Sequence, residues 1–112
     1  MSHSEVLIAT MPSIPGYKVK KVLGLVCASS IRTRGVAGRF LAGLEATFGG
    51  KGHSYLVEVE KARNEALEEL KRKAAQMGAN AILSVDFETA EVMEGFIMVS
   101  AYGTAVVLES EE

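Results

Sequence analysis

The chain of 112 residues contains few of the side chains that build the commonest catalytic and metal sites. Cys27 is its single cysteine, so no disulfide can form within the chain, and a reducing compartment, the cytoplasm, is expected. The two histidines, His3 and His53, lack the Cys-x-x-Cys or His-x-x-x-His spacing of zinc ligands. They also form no Ser-His-Asp or Cys-His pattern, so no catalytic residue is assigned.

An excess of charge of one sign is also lacking. The 12 Lys and Arg residues against 14 Asp and Glu residues give a net charge of −2, which argues against nucleic acid as a partner. No run approaches the ~20 apolar residues that span a bilayer, and no basic amphipathic segment is present, so we expect no membrane partner. The N-terminal segment has no charged region of the kind that begins a signal peptide.

Hydrophobic residues, in contrast, are plentiful. They make up 48% of the chain, and the length is typical of one domain, so residues 1–112 are expected to form a single domain. This fraction is high for a small protein, which leaves much of its surface in contact with water. Part of the apolar surface is therefore expected in contacts between subunits.

The hydrophobic periodicity predicts four strands and two helices. The clearest signal is a helix that begins at Ser54 and ends at Met77 before Gly78, since its apolar residues recur at helical spacing: Leu56, Val59, Ala62, Ala66, Leu70, Ala74 and Met77. A shorter helix is predicted from Val36 to Phe48. The predicted strands are Glu5–Met11, Tyr17–Ala28, Ala79–Glu88 and Phe96–Leu108.

These elements predict an α+β fold of two layers, in the order β-β-α-α-β-β, with a mostly antiparallel sheet. In the third strand Ala79, Ala81, Leu83, Val85 and Phe87 are predicted to share one face. The second and last strands are apolar on both faces, whereas two helices cover only one face of a sheet. A neighbouring copy of the chain is the expected cover for the other face, which makes the chain a homo-oligomer.

A polar segment, Ser29–Gly35, is predicted as a turn between the second strand and the short helix. Its hydroxyl and guanidinium groups suit a phosphate or carboxylate at a helix N-terminus, and the candidate anion-binding residues are Ser29, Ser30, Arg32, Thr33, Arg34 and Arg39. In the alternative, the hydroxyl groups cap the helix while Arg32 and Arg34 pair with acidic residues of a neighbour.

Two weaker candidates remain. Cys27 could bind a soft metal ion with Met93 or Met98 if a subunit interface assembled the site, although a free cysteine in an apolar strand usually acts as a small hydrophobic residue. An interior polar cluster is the second candidate, formed by Tyr55, Arg63, Asp86 and Tyr102. In its alternative, Arg63 simply pairs with Asp86 or Glu88.

An ordered set of motifs resembles the YbjQ-like family over nearly the whole chain. The matching segments are Ile14–Tyr17, Gly24–Val26, Ile31–Arg34, Ala42–Leu44, Gly49–Gly50, Tyr55, Ala62–Arg63, Glu65–Ala66, Gly78–Ala81, Asp86 and Tyr102–Val106. The resemblance implies a subunit shaped like dodecin, a ring-like homopentamer, and heavy-metal binding. This chain departs from the family pattern at Ser30, Phe40 and Lys51, where Asn or acidic residues are common.

These observations lead to one functional hypothesis and two alternatives. The chain is expected to be an oligomeric protein that binds a metal ion or a small anion at subunit junctions; no cofactor is identified beyond such a metal ion. The alternatives are an enzyme whose site is shared between subunits, and a structural ring that recruits a partner.

Overall fold

The computed structural model describes residues 5–33, 53–93 and 95–111. In this part of the chain, four strands and one long helix form the predicted two layers. The strands are β1 (Leu7–Ile8), β2 (Tyr17–Thr33), β3 (Ala81–Met93) and β4 (Phe96–Ser110), and the helix is α1 (His53–Gln76). The short helix predicted at Val36–Phe48 lies outside the described residues.

The sheet has the order β1-β3-β4-β2 and is mixed. Strand β4 pairs antiparallel with both β2 and β3, whereas the short β1 pairs parallel with β3. The predicted α+β fold with a mostly antiparallel sheet is therefore confirmed. Strand β2 lies at the edge of the sheet, so one side of its 17-residue backbone faces away from β4.

Helix α1 forms the core with one face of the sheet. The middle of its predicted apolar stripe is buried, whereas Leu56 and Met77 at its two ends are 58% and 39% exposed. The buried helix residues Val59, Ala62, Ala66, Leu70 and Ala74 pack against strand residues that include Val26, Ala28, Ile97, Val99 and Ala101. Small alanine side chains allow the helix to approach the sheet closely.

The helix ends in the predicted way at Gly78, which has a φ of +90°. This left-handed conformation suits glycine, and the Ala79 N–H returns to the Ala74 carbonyl at 3.0 Å. The chain then enters β3 directly, with Ala79 and Ala81 fully buried. The motif Gly78–Ala81 is therefore accounted for by the helix-to-strand connection.

Two strands extend into segments that the sequence predicts as turns. Ser29–Thr33 continue β2, because each of these residues pairs with a residue of β4, ending with Thr33 opposite Phe96. Likewise β3 continues to Met93. The prediction of a turn from Ser29 is wrong at these positions, since the backbone pairing offered by a long neighbouring strand outweighs the local preference of polar residues for turns.

The sequence predicts that side chains alternate between the two faces of the sheet all along β3. This prediction is wrong, because a β-bulge interrupts the strand. The pairing with β4 shifts between Leu83 and Asp86, and Ser84 has a φ of +55°. Val85 packs under the helix, whereas Leu83 and Ala81 pack on the opposite side of the sheet. One extra residue thus moves the following side chains to the other face.

The side of the sheet opposite α1 is partly covered by the chain itself. Ala81, Leu83, Val106 and Leu108 form a second, smaller cluster with Ala9 and Ile14 of the N-terminal segment. The expectation that a neighbour alone covers this side is therefore wrong for one end of the sheet. No described residue outside the sheet packs on the other end of this side. No helix in the described ranges is both long and apolar enough to cross a membrane.

Candidate functional site

The open part of the sheet, which we call the open face, carries a group of polar side chains from three strands. Cys27 of β2 lies between the buried Val26 and Ala28, so its side chain points away from the helix. Register places Cys27 opposite Tyr102 of β4, and Tyr102 opposite Asp86 of β3. The three residues form one row across the sheet.

A second polar row lies beside the first. Ser29 is opposite Ser100, which in turn is opposite Glu88. The two serine hydroxyl oxygens are 2.8 Å apart and form a hydrogen bond. Exposed apolar side chains flank the two rows, since Leu25 is 73% exposed and Ile31 is 58% exposed. The open face therefore combines a thiol, two carboxylates and three hydroxyl groups with apolar surroundings.

Tyr102 and Asp86 interact directly on this face. The Tyr102 hydroxyl donates to Asp86 Oδ2 across 3.4 Å, which is a long hydrogen bond. The negative charge of Asp86 raises the pKa of Tyr102 above its ordinary value of 10.0, with smaller contributions from desolvation and from Glu88. Tyr102 therefore stays a neutral hydrogen-bond donor at physiological pH.

Cys27 is the thiol ligand of the open face, and it is exposed and free. Thiolates bind soft and borderline metal ions such as Cu⁺ and Zn²⁺, but a stable site usually needs two or more further ligands. Within residues 5–33, 53–93 and 95–111, no three His, Cys, Asp or Glu side chains are grouped closely enough to hold a metal ion. The Cys27 row of one chain is thus an incomplete set of ligands.

Arg32 lies on the opposite face, under the helix. Its Nε donates to Glu58 Oε2 at 2.7 Å, and its Nη1 contacts Glu65 Oε1. The Ser30 hydroxyl donates to the other Glu65 oxygen at 2.5 Å. The hydrogen bond with Glu58 is the main cause that raises the pKa of Arg32 and lowers the pKa of Glu58.

This arrangement bears on the predicted anion-binding segment. Ser30 and Arg32 contact carboxylates of the chain's own helix. Pairing of Arg32 and Arg34 with acidic residues of a neighbour stays a prediction. Ser29 lies on the other face, and Thr33 ends β2. Arg34 and Arg39 lie outside the described residues. Anion binding by this set stays a prediction, and an anion at Arg32 would compete with two carboxylates already in contact.

The members of the predicted interior cluster lie in different places. Arg63 lies on the helix side, with its guanidinium carbon 5.7 Å from the centre of the Phe87 ring, a cation–π arrangement. Asp86 and Tyr102 meet on the open face instead. The Tyr55 side chain lies outside the described part of the chain, as does that of Met93. The sheet itself separates Arg63 from Asp86, because neighbouring residues of β3 point to opposite faces.

Sequence reasoning missed Glu58, Glu65, Ser100 and Asn80. The side-chain amide of Asn80 accepts from the Leu108 N–H at 2.7 Å and donates to the Leu108 carbonyl at 2.9 Å. Neither Glu58 nor Glu65 stands out by itself among the other carboxylates of the helix. Their spacing of seven residues, two helical turns, places them on one side of α1 and was the available hint.

Comparison with known proteins gives consistent matches along the chain. Residues 6–109 match a YbjQ family model described as "Putative heavy-metal-binding". A UPF0145 protein of Hahella chejuensis is 46% identical over 103 residues, covering 92% of this chain and 99% of the relative. A UPF0145 protein of Methanocella arvoryzae is 37% identical over 107 residues, covering 96% and 89%.

One solved structure shows a similar fold. It is a protein of unknown function of the DUF74 family from Pediococcus pentosaceus, with a TM-score of 0.62, 21% sequence identity, and coverage of 93% of this chain and 98% of that chain. At this identity the likeness concerns the fold alone.

Proposed function

Since this chain belongs to the YbjQ family described as "Putative heavy-metal-binding", we propose that it binds a soft metal ion at the junction between copies of itself. The observation that carries the proposal is the position of Cys27, an exposed free thiol in the row that contains Tyr102 and Asp86. A thiolate is the preferred protein ligand of soft metal ions.

The junction is part of the proposal because the described residues of one chain group too few ligands. Among the described residues no group of three ligand side chains is assembled. A second copy beside the open face would add side chains to Cys27 and would exclude water from the ion. Metal binding and self-association are therefore coupled in this proposal.

Self-association is supported by apolar surface and by shape. The exposed apolar residues of β2 lie along one strand at the sheet edge: Tyr17, Val19, Val22, Leu25 and Ile31. Exposed apolar surface on an edge strand marks a contact surface in proteins that do not aggregate. The radius of gyration is 17.4 Å, whereas a compact domain of this length has about 13 Å. We propose a ring of five copies with a dodecin-like subunit shape, as the family resemblance implies.

The thiol of Cys27 also bears on the compartment in which the protein is found. A cysteine that serves as a metal ligand must stay reduced, which favours a reducing compartment, and we propose the cytoplasm. Anion binding is the less favoured function, because Glu58 and Glu65 already engage Arg32.

Metal retention tests the proposed function. The reduced protein is incubated separately with Cu⁺, Zn²⁺ and Ni²⁺, passed through gel filtration, and analysed for metal per chain by mass spectrometry. We expect near-stoichiometric retention of at least one soft ion, at least about tenfold less in Cys27→Ser, and no change in Ser29→Ala, which alters the neighbouring row. Retention of all three ions at well below one per five chains would refute the proposal.

Light scattering of the same samples tests the oligomer. A ring of five would have five times the chain mass of 12.0 kDa. A stable monomer at all concentrations would refute the proposed junction, whatever the metal content.

A further inference from the structure

Strand β2 carries three lysines close to its start. Lys18, Lys20 and Lys21 lie in the first five residues of the strand, and all three are exposed. Lys18 pairs with Glu109 on the neighbouring strand at 3.5 Å. In the ranges that the structure describes, no carboxylate lies within ion-pair distance of Lys20 or Lys21. We call Lys20 and Lys21 the basic end of β2.

The backbone adds to the exposure of this end. Pairing with β4 shifts between Val19 and Lys21, so Lys20 is the extra residue of a β-bulge. A second shift follows between Val22 and Gly24. Val19 and Val22, beside the lysines, are 43% and 64% exposed. The basic end thus combines two cations with apolar surface at an unpaired sheet edge.

The open face carries the opposite charge. Asp86 and Glu88 are exposed two residues apart on β3, on the same side of the sheet. Asp86 accepts from Tyr102 and from the Phe87 N–H, both neutral groups. Among the described cations, none forms an ion pair with Asp86 or Glu88. The apolar neighbours of these carboxylates include Tyr102 and, farther along, Ile31 and Leu25.

Within one chain the two charged regions cannot meet. Lys21 is opposite Val107 on β4, whereas Asp86 is opposite Tyr102, five residues away along the same strand. At about 3.4 Å per residue this is about 17 Å, far beyond the ~4 Å of an ion pair. Lys21 and Asp86 also lie on opposite sides of β4. Among the described residues, the two charged regions therefore do not partner each other.

We propose that the basic end of one copy docks on the open face of a second copy, where Lys20 and Lys21 pair with Asp86 and Glu88. The occupant of the open face is thus another copy of this chain, selected by complementary charge and by apolar side chains on both surfaces. This inference rests on the self-association in the proposed function, and it specifies which surfaces meet.

The geometry of this contact has a consequence for assembly. The two surfaces are different parts of the molecule, so each copy donates one and offers the other. Where each copy docks on a different neighbour, this head-to-tail contact gives a closed ring if the rotation between successive copies closes. Charge pairs at an interface fix how two partners are oriented. The lysine–carboxylate pairs would therefore fix the orientation of each copy on its neighbour.

A charge exchange tests the pairing. The first variant carries Lys20→Glu with Lys21→Glu, the second carries Asp86→Lys with Glu88→Lys, and the third combines all four changes in one chain. Analytical ultracentrifugation and light scattering measure association, and circular dichroism confirms that each variant is folded. A control for the fourfold variant, which likewise leaves the net charge unchanged, exchanges two exposed helix charges with Glu60→Lys and Lys61→Glu.

We expect each double variant to weaken association at least about tenfold, as like charges then face each other across the contact. The chain with all four changes should recover to within about threefold of the original protein, and the helix control should not differ from it. Equimolar mixing of the two double variants should give mixed complexes, since one complementary contact is restored in each pair.

The outcomes separate this inference from the proposed function. If the unmodified protein associates and both double variants associate equally well, the docking surfaces are wrong while self-association stands. If both variants dissociate and the fourfold variant is not restored, the residues do not face each other and the inference is overturned. A monomeric unmodified protein overturns both. Metal content per chain, measured separately, decides only the proposed function.

Discussion

Asn80 and Leu108 form a closed pair of hydrogen bonds between the start of β3 and the end of β4. The Asn80 amide accepts from the Leu108 N–H at 2.7 Å and donates to its carbonyl at 2.9 Å. The Asn80 backbone bonds to Val106 and to Leu7. The Asn80 side chain therefore extends the pairing of β3 with β4 by one residue, while the Asn80 backbone bonds to β4 and to β1.

Replacing Asn80 with alanine should destabilise the protein. The Leu108 N–H and the Leu108 carbonyl, whose hydrogen bonds are part-buried, would each lose the side-chain partner. This loss should lower the free energy of unfolding by about 1–3 kcal/mol. Asn80→Asp should also destabilise it, because a carboxylate would face the Leu108 carbonyl. Urea denaturation measures both, with Asn64→Ala on the exposed helix surface as a control. Variants as stable as the original would show that the pair is dispensable.

Gly103 should tolerate no side chain. A Cβ atom added there would lie 2.7 Å from Ile82 Cγ2 and 2.9 Å from the Leu83 carbonyl oxygen, beside the β3 bulge. We expect Gly103→Ala to reduce the unfolding free energy by about 1–3 kcal/mol, as overpacking does in cores. Ser100→Ala on the same strand, whose hydrogen bond is exposed, should change it by less than about 0.5 kcal/mol. Equal stability of the two variants would argue against close approach of β3 and β4 at Gly103.

The Glu58–Arg32 pair should make stability depend on acid pH. The Arg32 hydrogen bond lowers the pKa of Glu58 below its ordinary value of 4.5, so the folded state binds this proton less readily than the unfolded state. The pair therefore stabilises the protein above pH 4.5, and this contribution is lost as the pH falls through the lowered pKa.

In Arg32→Gln the urea midpoint should be lower at neutral pH, and it should fall less between about pH 5 and pH 3 than in the original protein. The control is Lys71→Gln, whose pair with the 60% exposed Glu68 should contribute little. Parallel pH profiles for the original protein and Arg32→Gln would contradict the assignment.

Tyr102 should titrate at lower pH when Asp86 is neutral. The Asp86 charge is the largest cause of the raised pKa of Tyr102, so Asp86→Asn should shift this pKa down toward 10.0. An NMR titration of the tyrosine ring carbons measures it, with Tyr102→Phe to assign the signal. The control is Glu91→Gln, which lies on β3 like Asp86 but beyond the polar rows. It should leave the pKa of Tyr102 unchanged. An unchanged pKa in Asp86→Asn would mean that the two groups are apart in solution.

The sequence predicted the helix and the strands more closely than it predicted the site. Helix α1 begins and ends within one residue of the prediction, because its apolar spacing and Gly78 are local signals. Asp86 and Tyr102 were predicted as members of an interior cluster, whereas the structure places them together on an exposed face. Arg32 was identified as a candidate, yet its partners Glu58 and Glu65 lie 26 and 33 residues away. Which carboxylates meet a given arginine depends on how the helix lies across the sheet.

The amino-acid sequence alone therefore determined the α+β class, the buried stripe of α1 and the apolar character of β2 and β4, since each follows from periodicity along the chain. Only the tertiary structure decided the length of β2, which continues through polar residues because β4 offers backbone partners as far as Phe96. It also decided the bulge at Ser84, which places Asp86 on the open face and Val85 beneath the helix. Register between strands distant in sequence sets both features, so the row of Cys27, Tyr102 and Asp86 exists only in the folded sheet.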